Sequence, residues 1–122
     1  MKPNAVRDKS FAFASRIGKA SKYLPTEQRE YVLSKQLLRS GTSIGANVEE
    51  ALAGVSKADF EHKLAISARE ARETSYWLRL LHDNNYLNDS AFHSLPAECL
   101  ALLKILNSIL LTSKHGPHDP NS

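Results

Sequence analysis

Residues 33–51 read LSKQLLRSGTSIGANVEEA, and the spacing inside this stretch decides the fold class. Leu33, Leu37, Gly41, Ile44, Val48 and Ala51 recur every three or four residues, the period that lines up one face of an α-helix. Gly41 falls on that face, whereas Thr42, Gly45 and Ala46 fall opposite it. A glycine in a helix interior costs up to about 1 kcal/mol relative to alanine, so both are expected where another helix approaches closely. Beside the core face runs a polar stripe: Gln36, Arg39, Ser43, Asn47 and Glu50. Arg39 and Glu50 are three turns apart, too far to pair with each other. Each is expected to be buried with a partner on another helix or subunit, Ser43 and Asn47 completing the network. Such a stripe reads as structural, fixing the packing of helices, and not as catalytic.

The same period continues on both sides. Val6, Phe13, Ile17, Ala20 and Leu24 form a core stripe before it; Phe60, Leu64, Ala68, Ala71, Ser75 and Leu78 form one after it. A fourth comprises Phe92, Leu95, Cys99, Leu103, Leu106 and Leu110. Breakers separate them: Pro25 and Thr26 read as opening the second helix and Gly54 as closing it. Ser56 with Asp59 resembles a capping box for the third. Asn84 and Asn85 end that helix, and Asn88 is placed to cap the fourth. Pro96 either kinks the fourth helix or marks its first turn after a cap at Ser94. The expectation is one domain over residues 1–114, with helices at about 4–24, 27–53, 57–83 and 89–114, and a disordered tail over 115–122. Short joints make neighbours antiparallel, giving an all-α, up-down four-helix bundle.

Composition agrees and excludes much else. The 122 residues are 42% hydrophobic and 24% charged, with five glycines and five prolines, too few turn residues for an all-β chain. The single cysteine rules out an internal disulfide and a cysteine-built metal site. No signal peptide is read at the start, so the chain is expected in the cytoplasm. The most apolar run, 99–111, is interrupted by Lys104, Asn107 and Ser108, so no membrane span is expected. Neither a phosphate-binding loop, a dinucleotide-binding glycine pattern nor a zinc-binding His-Glu-x-x-His helix occurs. Glu70 and Glu73 form Glu-x-x-Glu, where a di-iron bundle needs Glu-x-x-His pairs. His82 and Cys99 read as packing residues, the histidine hydrogen-bonded and the thiol a small hydrophobe. The expectation is therefore a protein with no enzymatic activity, no metal and no cofactor.

Apolar residues are in surplus. Ile66, Trp77 and Leu80 point away from the third core stripe, and the fourth helix is apolar well beyond one face, which predicts self-association through those residues. Charge is unevenly spread too. Residues 1–25 hold six basic groups and one acid, a balance of +5 against +3 for the whole chain. Lys9, Arg16, Lys19 and Lys22, interleaved with Phe11 and Tyr23, are candidates for holding phosphates and stacking bases. A second basic set, Arg69, Arg72, Tyr76 and Arg79, is read as paired within its helix to Glu70, Glu73 and Asp83, and ranks below the first.

Gln36, Arg39, Ser40, Ser43, Ile44, Ala46, Asn47, Val48, Glu50 and Ala51 closely resemble the second-helix signature of the 23S rRNA-intervening-sequence protein family. Ser10, Pro25, Arg29, Phe60, Leu64, Ile66, Ala68 and Glu73 extend the likeness from about residue 9 to 111. Val48 stands where isoleucine is usual and Ala51 where glycine is common. The resemblance implies an antiparallel four-helix bundle assembled into a ring-shaped homopentamer. That family is similar to the accessory variability proteins of diversity-generating retroelements, which implies binding to structured RNA or DNA. The alternative it implies is a scaffold for a protein partner such as a reverse transcriptase.

Overall fold

The computed structural model describes residues 3–115, the side chains of 3 and 4 excepted. Four α-helices account for most of them: α1 (Pro3–Glu27), α2 (Leu33–Leu52), α3 (Lys57–Asp83) and α4 (Leu95–Lys114), with a short 3-10 turn at Ser90–Phe92 before the last. No strand occurs among the described residues. α1 packs on α2 and α4, and α3 packs on the same two, so α1 and α3 stand at opposite corners. Of the expected tail, 115–122, only His115 lies within the described residues; its N–H bonds the Leu111 carbonyl at 3.1 Å.

The joint between α1 and α2 departs from expectation. Pro25 lies inside α1, in its last turn, where the missing N–H costs a single helical bond. The chain then turns at Arg29, whose φ of 54° is left-handed, and α2 starts at Leu33 and not near 27. Thr26 is exposed and caps nothing. Glu30 does that work: its carboxylate accepts from the N–H groups of Val32, Leu33 and Ser34 at 3.1, 2.8 and 2.7 Å. A buried carboxylate on the free N–H groups of a helix start meets both their hydrogen-bonding need and the positive end of the helix dipole.

Other joints follow their residues. The Ser56 hydroxyl accepts from Asp59 N–H at 3.1 Å at the start of α3. At its end Asn85 adopts φ 63°, and Tyr86 N–H bonds Leu81 O while Asn85 N–H bonds His82 O, a Schellman cap. Asn88 does not cap α4; its amide donates to Asn85 O. Asp89 caps the 3-10 turn instead, and α4 starts after Ser94 with Pro96 in its first turn. Of the two readings of Pro96, the first-turn one is the observed one.

The core stripes of α1 and most of α2 are as expected: Val6, Phe13, Ile17, Ala20, Leu24, Leu37, Ile44, Val48 and Ala51 are all at most 2% exposed. In α3 Thr74 is buried and Ser75 only half-buried; in α4 Leu102 takes the place expected of Leu103. A helix apolar on all sides gives periodicity no face to choose. For the same reason the expected absence of a membrane-length segment needs correction. Within Ser90–Lys114 an 18-residue window reaches a mean hydropathy of 1.5, so by length and composition this segment could cross a bilayer. One side of that segment, Leu95, Cys99, Leu102 and Leu106, is nonetheless packed into the core shared by all four helices.

Both glycines of α2 face α1. A Cβ on Gly41 would lie 2.8 and 2.9 Å from the buried side chain of Ile17, and one on Gly45 would lie 3.3 Å from the Ser10 carbonyl oxygen. Close helix approach is therefore the reason for them, but Gly45 is buried in the α1–α2 seam and not turned away from the bundle.

Candidate nucleic-acid interface

The α2 polar stripe does not form one network. Arg39 reaches across to α3, where its guanidinium pairs with Glu70 at 3.1 Å and with Glu73. Glu73 also accepts from Trp77 Nε1–H at 3.0 Å. That hydrogen bond, and after it the Arg39 guanidinium, holds the Glu73 carboxyl below its ordinary value against the opposing effect of burial. Ser43 and Asn47 instead bond back to their own helix, to Arg39 O and Ser43 O at 2.6 and 2.8 Å. Gln36 and Glu50 are exposed, and Arg39 is half-exposed, so the expected burial of Arg39 and Glu50 is corrected. The buried polar contacts between α2 and α3 come from residues the periodicity did not single out for this role. Thr74 donates to Ser40 Oγ at 2.9 Å, and Ser67 Oγ donates to Ile44 O at 2.8 Å. Each hydroxyl is short enough to fit between close helices while keeping a partner in the dry core.

Trp77 is half-buried against the core, its ring 5.0 Å from Tyr76, so it does not stand free as the helical wheel implied. Ile66 and Leu80 are also half-buried. More apolar surface remains on α4, where Leu100 and Leu111 are 48% and 62% exposed. Between α4 and the start of α3 lies a groove of about 540 Å³, lined by Phe60, Ile105 and Ile109 with Lys104 and Ser108.

On α1 the four candidate cations are not brought together. Arg16 turns to the α4 side, where it pairs with Glu98 and donates to Ser94 Oγ and Ala91 O. It ties α1 to the start of α4. Lys9 borders a groove of about 200 Å³ between these helices, with Glu98 across from it. Lys19 and Lys22 are exposed. Of the two aromatics, Tyr23 is taken up: it packs on Phe92 at 5.0 Å and its hydroxyl accepts from Gln28 at 2.9 Å. Phe11 is 74% exposed.

The α3 cations behave in the opposite way. Glu70 and Glu73 are engaged directly by Arg39, and the along-helix pairing that the spacing implied is reduced to a charge interaction of Arg69 with Glu73. These three arginines are exposed and make no ion pair among the described residues. Arg79 lies over the half-exposed Tyr76 ring, 5.9 Å from its centroid.

Three or more metal-ligating side chains do not cluster anywhere among the described residues. Cys99 is fully buried, donates to Ala71 O at 3.2 Å, and is pushed up to about 12 by burial. His82 is half-buried, with Nε2 enclosed and without a hydrogen-bond partner, which corrects the expectation of a hydrogen-bonded histidine.

Comparison with known proteins accords with this architecture. Residues 2–108 match the family model of the 23S rRNA-intervening sequence protein. The structure is similar to the crystal structure of a protein of unknown function from the S23 ribosomal protein family of Bacteroides thetaiotaomicron VPI-5482. The two share 49% sequence identity and a TM-score of 0.87, over 92% of this chain and 100% of that one. A search among curated proteins finds no match. With the family model spanning most of all four helices, the chain belongs to the 23S rRNA-intervening sequence protein family.

Proposed function

We propose that this protein is a non-catalytic, self-associating antiparallel four-helix bundle that binds structured RNA or DNA in the cytoplasm through a basic surface multiplied by assembly. The observation that carries the reading is the charge surplus of +5 on residues 1–25, with Lys9, Lys19 and Lys22 exposed on α1. Arg16 is withdrawn from that set by its pairing with Glu98. Lysines on one copy make a weak, diffuse phosphate site; several copies in one assembly act together, because each further contact becomes intramolecular.

Assembly into a homopentameric ring is part of the same proposal. The half-buried Ile66, Trp77 and Leu80 on α3 and the exposed apolar side of α4 supply surface for it. A second copy suits that side of α4 better than a membrane does, since the opposite side of the helix lines the core. The competing reading, a scaffold for another protein such as a reverse transcriptase, is favoured by Phe11. That ring borders a concavity of about 230 Å³ formed by Ala14, Thr42, Gly45 and Ala46.

Sedimentation of the purified protein tests assembly, and titration with a structured RNA across a salt series tests binding. Micromolar or tighter affinity that falls with salt, and is lost in K9E/K19E/K22E, supports the reading. A monomer at micromolar concentration rejects the assembly, and no binding at low salt rejects the nucleic-acid ligand.

A further inference from the structure

We propose that the outer side of α3, through Arg69, Arg72, Tyr76 and Arg79, is a second and stronger nucleic-acid site, which grips an unpaired strand. The inference rests on nucleic acid being the ligand, and it moves the main contact from α1 to the opposite corner of the bundle.

The outer half of α3 has two sides. Toward α2 lie Glu73, bound to Arg39, and Trp77 beside it. Toward α4 lies Glu61, which accepts from Ser113 Oγ at 2.7 Å. Arg69, Arg72, Tyr76 and Arg79 are spaced three, four and three residues apart, so they fall within one narrow stripe on that α4-facing side. At 1.5 Å rise per residue the stripe is about 15 Å long, enough for a few consecutive phosphates of one strand.

Three features separate it from an ordinary solvated helix face. The acids one turn away are engaged elsewhere: Arg39 holds Glu70 and Glu73, and Arg69 acts on Glu73 through charge alone, without an ion-pair contact. Only Asp83, at the C-terminal end, shares the stripe, and it makes no ion pair with Arg79 among the described residues. All three cations are arginines, whose planar fork binds phosphate oxygens in pairs. Tyr76 sits among them with its ring half exposed and Arg79 over it. An aromatic ring flanked by guanidinium groups stacks on a base only when that base is unpaired, and that favours a single strand over a duplex. On α1, by contrast, Arg16 and Tyr23 are both consumed by packing.

Trp77 provides the readout. It is the chain's single tryptophan, 5.0 Å from Tyr76, and within one copy α1 stands at the opposite corner from α3, so its emission senses the α3 stripe more directly than the lysines. The probes are a 20-nucleotide oligouridine and an RNA duplex of the same length, titrated with the full chain at several salt concentrations. Wild type is expected to bind the single strand more tightly, with a change in Trp77 emission. R69Q/R72Q/R79Q is expected to lose at least tenfold in affinity and to flatten the salt dependence by roughly 2 in slope, at about 0.7 per phosphate for a single strand. Y76A is expected to lose about tenfold for the single strand and little for the duplex. Circular dichroism checks that each variant keeps its helices; exposed arginines are not needed for them.

If the arginine variant binds as wild type while K19E/K22E does not, the α3 site is wrong and the α1 reading stands. Equal affinity for strand and duplex, with silent Trp77 emission, also overturns it. Failure of wild type to bind either probe at low salt rejects the nucleic-acid reading itself, and this site with it.

Discussion

The two seams that α1 makes are built on different principles. Against α2, the helices touch at two glycines, Gly41 on the Ile17 side chain and Gly45 on the Ser10 carbonyl, with a concavity of about 230 Å³ opening only on the outer side of Gly45. Against α4, small residues leave a groove of about 200 Å³ lined by Ala12 and Ala101, and the contact is closed by the Arg16 clamp on Glu98, Ser94 and Ala91. At its buried point, Gly41 on Ile17, such a seam tolerates almost no added volume, because interiors are packed as densely as crystals. A seam made by a half-exposed ion pair over a groove tolerates much more.

The comparison can be broken most directly at Gly41. Gly41→Ala puts a methyl group 2.8–2.9 Å from the β-branched side chain of Ile17, which is fully buried and must shift to admit it. Overpacking of this kind costs about 1–3 kcal/mol, and the gain in helix propensity offsets only part of it. Urea unfolding measures the difference, and a variant as stable as wild type would show that the seam is not tight. Next in size is a change of opposite sign. A Cβ on Gly18 meets nothing within 4 Å, so Gly18→Ala is expected to stabilise by up to about 1 kcal/mol. The pair together separates glycine required by packing from glycine merely tolerated.

The other seam gives smaller numbers. Arg16→Gln is expected to cost about 0.5–1 kcal/mol, the range for a partly exposed ion pair, and a larger loss would mean that the clamp carries more than the seam's shape does. Ala101→Leu, into the groove, is expected to leave the unfolding midpoint within about 0.5 kcal/mol of wild type. A large penalty there would make the two seams alike.

A still finer effect concerns the polar contact between α2 and α3. Glu73 is held below its ordinary carboxyl value by Trp77 and then Arg39, so the stability it adds is present above the unfolded-state value and is lost as pH falls through the lower folded one. Acid titration of Trp77 emission is expected to show a transition below the usual glutamate range, at a pH that Arg39→Gln raises. Since both Arg39 and Glu73 are substantially exposed, the associated change in stability is small.

The element pattern was legible because it is local. A run such as Val6, Phe13, Ile17, Ala20 and Leu24 has only one face to bury, and all five are buried. The candidate site was legible in its residue types but not in its pairings. Arg16 and Arg39 look alike in the sequence as cations beside an apolar stripe, and Arg69 looks paired to Glu73 at four residues' distance. Which acid each finds depends on which helix lies alongside: Glu98 for Arg16, Glu70 and Glu73 for Arg39. Glu30 was missed as a cap because it works from the loop, after a left-handed turn at Arg29 that arginine does not announce. Its signal was the run Glu30 to Ser34, an acid and a serine flanking the helix start.

By itself the sequence determined an all-α chain of four long helices and the family to which they belong, since helical periodicity and motif spacing are properties of neighbours along the chain. Only the tertiary structure decided where each helix began at its loop, which side of the apolar fourth helix entered the core, and which cations were left free. Those outcomes rest on contacts between residues far apart in the chain, where an acid satisfied by one arginine is no longer available to another.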